Sequence, residues 1–188
     1  WLFMMFFSGI ELKALGKFFA LIFALVPIGY ISMAQYQKDR IEAFLHPDNL
    51  SLPGNYQVWQ SKVAIGSGGF FGKGLFGGTQ KSLDFIPVQT SDFFFAVLGE
   101  ELGLLGGFFV IALYLVLLLR MMSILRNAVD FYGALIISGI IGMFVFQIFE
   151  NIAMTMGLMP VTGITLPFLS YGGSSIVSNM LAIALVLN

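Results

Sequence analysis

Three carboxylates near the start of one apolar stretch are the residues best suited to chemistry. Asp92 directly precedes the stretch, and Glu100 and Glu101 lie inside it, roughly 12–14 Å further along if it is helical. Carboxylates in such a setting mark functional sites by default, because they are unfavourable unless they face protein or water. Helical geometry places Glu100 about 80° around the axis from Asp92, and Glu101 about 180° away. We therefore expect any cavity that Asp92 shares to include Glu100.

Each of these carboxylates also has a structural explanation. An aspartate just before an apolar helix is a favoured N-cap, which stabilises the helix by about 1 kcal/mol and leaves one carboxylate oxygen available. The two glutamates could equally form a buried hydrogen-bond network. A further polar face, Gln147, Glu150 and Asn151, follows the i, i+3, i+4 spacing of a helix, and we favour a packing network there.

Metal and nucleotide chemistry find little support. His46 is the only histidine and the chain has no cysteine, so the ligands of a zinc site are missing. The run GSGGFFGKG departs from a phosphate-binding loop at Ser67 and Gly74, which should be a glycine and a hydroxyl residue. The run is better explained as a set of tight turns. Lys73 within it places a positive charge near the membrane surface.

Composition assigns the chain to the membrane proteins. Apolar residues make up 58% of its 188 residues and charged residues only 10%, against about a quarter in soluble domains. The net charge of −1 provides no field that would attract nucleic acid. Membrane lipids are therefore the expected surroundings, and because the chain begins and ends inside apolar runs we interpret it as a fragment.

The apolar runs predict an all-α polytopic fold with about four to five transmembrane helices. All of residues 1–188 form one multi-pass membrane domain in this interpretation, with a turn holding Lys13 and Lys17 after the first run. The predicted spans are residues 1–7 (partial), 18–34, 93–119, 133–150 and 173–188 (partial).

Two less regular segments interrupt these spans. In the loop 35–92, YQKDRIEAFLHPDN predicts a short helix that ends at His46, and NYQVWQSKVAIGSGGFFGKG predicts a surface helix that runs into a glycine-rich turn. The later segment NIAMTMGLMPVTGITLPFLSYGGSS contains Pro160 and Pro167, so it cannot be one regular helix. Such re-entrant backbone must be buried in protein or line a cavity.

Basic residues predict the orientation. Lys13, Lys17, Arg120 and Arg126 lie in two short loops, whereas residues 151–172 contain no Lys or Arg. Because basic loops stay in the cytoplasm, the 35–92 loop is extracytoplasmic. The Pro/Gly-rich segment then lies on the same side as Asp92.

Four sequences in this order resemble the RodA/FtsW family of bacterial membrane proteins, also called the SEDS family. They are YQKDRIEAFLHPDN, YQVWQSKVAIGSGGFFGKGLFGGTQ, IPVQTSDFFFAVLGEELGLLG and NIAMTMGLMPVTGITLPFLSYGGSS. The 35–92 loop is closer in wording to the rod-shape members than to the division members. The resemblance implies that the chain is the C-terminal part of a longer multi-pass protein of the bacterial cytoplasmic membrane.

The resemblance also implies a function. The family polymerises lipid II into glycan strands at the outer face of the membrane, here for cell elongation and rod shape, and works with a class B penicillin-binding protein transpeptidase. Its essential aspartate, in a pattern like P-E-x-H-T-D-F, falls on Asp92, although this sequence departs from the pattern at Val88, Thr90 and Ser91. Candidate substrate-binding residues are Gln60, Ser61, Lys73, Thr90, Glu100, Tyr171, Ser174 and Ser175.

The residues fit this chemistry. A glycosyl pyrophosphate already has a good leaving group, so one general base for the acceptor hydroxyl is the minimum requirement, and we assign that role to Asp92. The leaving pyrophosphate needs positive charge, from a divalent cation such as Mg or Mn or from Lys73; no organic cofactor is expected.

Two other functions stay open. A lipid II flippase would use Glu100, Glu101 and Glu150 as a polar path through the membrane. A non-catalytic scaffold would anchor cell-wall synthases and would tolerate substitution of Asp92.

Overall fold

The computed structural model describes residues 1–9, 11–75, 77 and 92–188. This part of the chain is all-helical, as the composition predicts. Its helices are α1 (Leu2–Phe7), α2 (Leu12–Ser32), α3 (Gln35–Leu45), α4 (Asn55–Gly68), α5 (Phe94–Arg126), α6 (Phe131–Thr155) and α7 (Gly173–Leu187). Helices α2, α5 and α6 are long and apolar enough to cross a membrane, and α7 is a shorter apolar helix. The chain is therefore a multi-pass membrane protein.

Several helix ends differ from the predicted span limits. A turn follows α1 at Ser8–Gly9, but α2 begins at Leu12, so Lys13 and Lys17 lie in its first turns and not in the predicted turn. Helices α5 and α6 continue to Arg126 and Thr155, past the predicted limits. Hydropathy locates only the part of a helix that lies in the membrane. Charged residues such as Lys and Arg also favour helical backbone, so a helix can continue beyond its apolar part.

The prediction for the 35–92 loop is confirmed for its two helices. Helix α3 ends at Leu45 with His46 as its C-cap, and α4 ends at Gly68, just before the glycine-rich turn. Helix α4 packs closely on the start of α5. The two backbones are so near that a Cβ on Gly68 would lie only 2.0 Å from the Gly99 carbonyl oxygen.

Helices α5, α6 and α7 enclose the main apolar core. Its most deeply buried members are Ile141 and Phe144 of α6 and Leu166 of the segment that follows α6. Helix α1 packs against the small residues of α6: a Cβ on Gly142 would lie 2.9 Å from the Phe3 side chain. The start of α5 and the end of α6 meet at the same end of the core, as the orientation argument predicts.

Helix α5 is broken at Gly103, which adopts φ 65° and ψ −161°. In an unbroken helix the amides of Leu104 and Leu105 would donate to the carbonyls of Glu100 and Glu101. They donate instead to the Gly69 and Phe70 carbonyls, at 2.9 and 3.2 Å.

The glycine-rich turn after α4 also provides donors for the two carbonyls that the break leaves without helical partners. The amides of Lys73 and Gly74 donate to the carbonyls of Glu100 and Glu101, both at 3.0 Å. The turn therefore replaces the helical hydrogen bonds that α5 loses. This matters because a membrane interior has no water to satisfy exposed backbone groups.

Glycine is required for this contact, and Gly103→Ala tests it. A Cβ on Gly103 would lie 2.4 Å from the Gly72 nitrogen and 2.8 Å from the Phe70 carbonyl oxygen, and its left-handed φ alone costs a residue with a side chain about 1–2 kcal/mol. We expect a loss of at least that much stability, measured as a lower melting temperature in detergent.

Gly107→Ala is the matched control for this prediction. It lies one turn further along α5, and its Cβ would meet only the Phe95 ring, at 3.6 Å. Equal melting temperatures for the two variants would contradict the account of the break.

Candidate functional site

The site lies at residues 160–166, which follow α6 without regular secondary structure and are called the extended segment below. The segment follows a left-handed turn at Gly157, and Pro160 and Pro167 bracket it. Proline has no amide hydrogen and disfavours helical backbone in the residue before it. The segment therefore runs without helical hydrogen bonds, as predicted from its prolines.

Side chains from distant elements bind the carbonyls of this segment. Arg40 of α3 donates through Nη1 to the carbonyls of Val161, at 3.0 Å, and Thr162, at 3.2 Å. Just beyond the segment, the Tyr114 hydroxyl of α5 donates to the Pro167 carbonyl at 2.6 Å. Irregular backbone next to a membrane is thus satisfied by protein groups, as physical chemistry requires.

Asn151 of α6 joins the segment to the start of α5. Its side-chain nitrogen donates to the Ile164 carbonyl at 2.7 Å and to the backbone carbonyl of Asp92 at 2.9 Å. The residue is fully buried, and both of its N–H donors are used. Asn151 therefore fixes the backbone of Asp92 relative to the extended segment.

The Asp92 carboxylate lies next to Gly163 of that segment, where no side chain intervenes. A Cβ added to Gly163 would lie 3.4 Å from Asp92 Oδ2, and Gly163 has a left-handed φ of 79°. Asp92 is only half-buried, and among the described residues no side chain donates to its carboxylate. Within the described part of the chain, the group is thus positioned through its backbone and not through its carboxylate oxygens.

Asp92 is not the cap of α5. The N-cap is Phe93, which makes no side-chain capping bond, so the capping explanation is wrong. Phe93 takes that position because its ring is buried at 1% exposure, with Ala64 and Ala96 in the same cluster. Apolar burial fixes where the helix begins, and the carboxylate is left outside its first turn.

Glu150 supports the segment from α6. The Thr162 hydroxyl donates to Glu150 Oε1 at 2.6 Å, and the side chain is 2% exposed. Within the described part of the chain, Glu150 Oε2 has no hydrogen-bond partner. Glu150 and Asn151 thus pack against the segment, whereas Oε1 of Gln147, the third residue of the predicted polar face, has no hydrogen-bond partner within the described part of the chain.

Glu100 belongs to a different contact. The Lys73 ammonium lies 2.7 Å from Glu100 Oε1, and the Glu100 side chain has 0% exposure. This pair ties the glycine-rich turn to the broken part of α5, in addition to the backbone bonds described above. The structure thus brings Glu100 together with Lys73, and Asp92 together with Asn151 and Gly163.

Two of the other predicted substrate-binding residues lie in α4 and make internal contacts. Gln60 is buried and donates to the Tyr56 hydroxyl at 3.0 Å. Ser61 is fully buried and donates to the Thr155 carbonyl, at 2.8 Å, at the C-terminal end of α6.

The remaining predicted residues lie near α7 or outside the described part. Tyr171 is 78% exposed, Ser174 is exposed, and the Ser175 hydroxyl lies 3.0 Å from that of Thr165. Thr90, like Val88 and Ser91, lies outside the described residues. Their roles in binding substrate stay predictions.

The sequence analysis did not predict that Arg40, Thr162 and Gly163 contribute to this site. Arg40 carried no signal, because its partners lie 121 and 122 positions away along the chain. Gly163 could have been found from its position between Pro160 and Pro167, where irregular backbone is expected. As for a metal, no three His, Asp or Glu side chains in the described ranges are grouped to hold one.

The comparisons with known proteins agree with this architecture. The model of the FtsW/RodA/SpoVE family, described as cell cycle protein, matches residues 1–188. The chain is 45% identical over 161 residues to peptidoglycan glycosyltransferase RodA of Treponema pallidum (strain Nichols), covering 86% of this chain and 37% of that protein. It is 39% identical over 188 residues to peptidoglycan glycosyltransferase MrdB of Escherichia coli (strain K12), covering 100% of this chain and 51% of that protein. The chain thus spans about half or less of the length of these curated relatives.

The fold is also similar to solved structures. One, described as the structural coordination of polymerization and crosslinking by a peptidoglycan synthase complex, matches with a TM-score of 0.80 at 30% identity, over 98% of this chain and 50% of that chain. A crystal structure of a mutant of the Thermus thermophilus rod shape determining protein RodA matches with a TM-score of 0.52 at 37% identity, over 61% of this chain and 35% of that chain.

Asn151→Ala tests the contact that holds Asp92. The substitution removes the donor of two buried carbonyls, each of which loses about 1–3 kcal/mol without a partner. We expect a lower melting temperature and faster hydrogen exchange in residues 161–166. Asn127→Ala is the control, because Asn127 donates to the Ser123 carbonyl at 3.0 Å at the C-terminal end of α5, away from the segment. Unchanged exchange in the segment would contradict the role of Asn151.

Proposed function

The chain belongs to the FtsW/RodA/SpoVE family, and from this membership and the position of Asp92 we propose that it is part of a peptidoglycan glycosyltransferase. The complete protein polymerises lipid II at the outer face of the bacterial cytoplasmic membrane, for cell elongation and rod shape. The names of the relatives from Treponema pallidum and Escherichia coli support the activity.

Asp92 acts as the general base in this proposal. The acceptor hydroxyl attacks the anomeric carbon of the donor sugar and gives its proton to the Asp92 carboxylate. The bond from that carbon to the phosphate oxygen breaks, and the lipid diphosphate leaves with the bonding electrons. One glycosidic bond forms and one glycosyl phosphate bond breaks, so no redox partner is needed.

The observation that carries the assignment is the contrast between Asp92 and the nearby glutamates. Glu100 is fully buried and paired with Lys73, and Glu150 is 2% exposed and accepts a hydrogen bond from Thr162. Asp92 is half-buried and held through its backbone by Asn151. A base must reach the proton that it removes, and Asp92 is the carboxylate of this set that a ligand can approach.

A transpeptidase partner and a divalent cation also belong to the proposal. The similarity to a peptidoglycan synthase complex supports a class B penicillin-binding protein as the partner. We assign no residues to Mg or Mn, because the described part contains no grouped metal ligands.

Asp92→Asn in the complete protein tests the proposal. The amide keeps the size of the side chain but cannot take the proton, and we expect polymerisation of purified lipid II to fall by at least about 10²-fold. The measurement is strand synthesis by the purified protein with its partner transpeptidase. Asp48→Asn, an exposed position in the 35–92 loop, should retain activity.

The alternatives give other outcomes in the same experiment. Full polymerase activity in the Asp92→Asn variant would reject the general base. A scaffold predicts that neither the native protein nor the variant polymerises lipid II when the partner transpeptidase is present. A flippase predicts lipid II translocation in vesicles that Asp92→Asn does not impair.

A further inference from the structure

Two aromatic side chains at the tip of the glycine-rich turn are largely uncovered by the protein. Phe70 is 70% exposed and Phe71 is 82% exposed, although both come just after Gly68, the buried last residue of α4. Phenylalanine is among the residues most often buried, because burial removes a large apolar ring from water. Two adjacent exposed rings therefore indicate a surface that binds something outside this part of the chain.

The backbone of the turn holds these rings in a fixed place. The Gly69 carbonyl accepts from the Leu104 amide at 2.9 Å, and the Phe70 carbonyl accepts from the Leu105 amide at 3.2 Å. Both amides come directly after the break in α5. The Gly72 amide, on the other side of the two rings, donates back to the end of α4 at 2.8 Å. The level of the rings in the membrane is therefore the level of the break.

The depth of the break follows from the length of α5. Arg120 and Arg126 lie at the end of α5 that the basic residues assign to the cytoplasm. At 1.5 Å per residue, Gly103 lies roughly 26 Å from Arg120 and roughly 34 Å from Arg126 along the helix. The hydrocarbon layer is about 30 Å thick, so whichever arginine marks its inner boundary, the break lies within about 4 Å of its outer boundary.

Helix α6 places α4 at a matching level. Ser61 of α4 donates to the Thr155 carbonyl at the end of α6, roughly 36 Å along that helix from Phe131 at its start. The exposed rings of Tyr56 and Trp59 on α4 fit this level, because Tyr and Trp favour the membrane interface. Helix α4 therefore lies just outside the hydrocarbon layer, and the turn that follows it reaches the boundary.

The protein surface that adjoins the two rings is suited to lipid as well. The first exposed side chains of α5 after the break are all apolar: Leu104, Leu105, Phe108 and Phe109. The charge of the turn does not oppose contact with hydrocarbon, because Lys73 is paired with the buried Glu100. The rings therefore extend the lipid-facing surface of α5 outward to the turn.

We propose that the turn enters the outer edge of the bilayer, where Phe70 and Phe71 bind the acyl chains of membrane lipids. Apolar side chains at this boundary leave water by inserting a few ångströms among the chains. The interaction does not depend on the polymerase function proposed above. Because the turn is bonded to the break in α5, the lipid contact also holds the start of that helix, which follows Asp92, at a fixed level relative to the membrane surface.

Nitroxide labels at the two positions test this depth. The chain has no cysteine of its own, so Phe70→Cys and Phe71→Cys each direct a label to one position once any cysteine in the rest of the complete protein is replaced. The labelled protein is reconstituted in phosphatidylcholine vesicles, and relaxation of the label is measured with oxygen and with a water-soluble nickel complex. Oxygen concentrates in hydrocarbon and the nickel complex in water. We expect oxygen to relax both labels more strongly than nickel does.

Two further labelled positions are the controls. Phe108→Cys, on the exposed apolar part of α5, is the hydrocarbon control, and Asp48→Cys, at an exposed position between α3 and α4, is the water control. The ratio of oxygen to nickel relaxation at positions 70 and 71 should be several-fold above that at position 48 and close to that at position 108. All four side chains are exposed, so the variants should keep native melting temperatures in detergent.

Two other results would overturn the proposal. A ratio at positions 70 and 71 close to that of the water control would place the rings outside the bilayer. Labels that neither reagent reaches would place the rings against protein. Measurement with and without the partner transpeptidase identifies that protein, because shielding that appears only in the complex would assign the rings to the partner and not to lipid.

Discussion

Backbone that leaves a helix at the edge of hydrocarbon must find its hydrogen-bond partners in the protein, and the structure around Asp92 depends on this constraint. It is met twice. At Gly103 the glycine-rich turn supplies two amides and two carbonyls to the broken helix α5. Along residues 160–166, side chains from α3 and α6 supply the donors. The two solutions lie at the two ends of the first turns of α5 and hold that part of the helix from both directions.

The second solution also makes a site. In a regular helix, a carbonyl is positioned by an amide four residues further along the chain. The carbonyls that accept from Arg40 are positioned instead by a helix far away in the sequence. Because Asn151 binds Ile164 and Asp92 together, the requirement for hydrogen bonds also sets the distance between the carboxylate and the segment. Packing alone tolerates small shifts at such a junction, but two short bonds to one buried amide do not.

Local sequence patterns predicted the helix ends and turns, whereas contacts between residues far apart in the sequence determine the geometry of the site. The end of α3 at His46, the glycine turn after α4 and the irregular backbone between the two prolines follow from residues that act on their neighbours. The break at Gly103 was not predictable, since a single glycine is tolerated within a membrane helix. Nor was the partner of Glu100, because helical angles describe one helix and Lys73 approaches from another element. The capping explanation for Asp92 failed for a similar reason: burial of Phe93 determined where α5 begins.

Among the described residues near the site, side-chain contacts distinguish Glu100 and Glu150, which hold the fold, from Asp92. Glu100 is neutralised by Lys73, and Glu150 is fixed by a threonine hydroxyl in a buried setting; both stabilise segments next to the site. Two basic residues also hold the fold: Lys73 pairs with Glu100, and Arg40 donates to two carbonyls of the extended segment. Asn151 holds Asp92 through its backbone carbonyl instead, and no side chain in the described part of the chain donates to the Asp92 carboxylate.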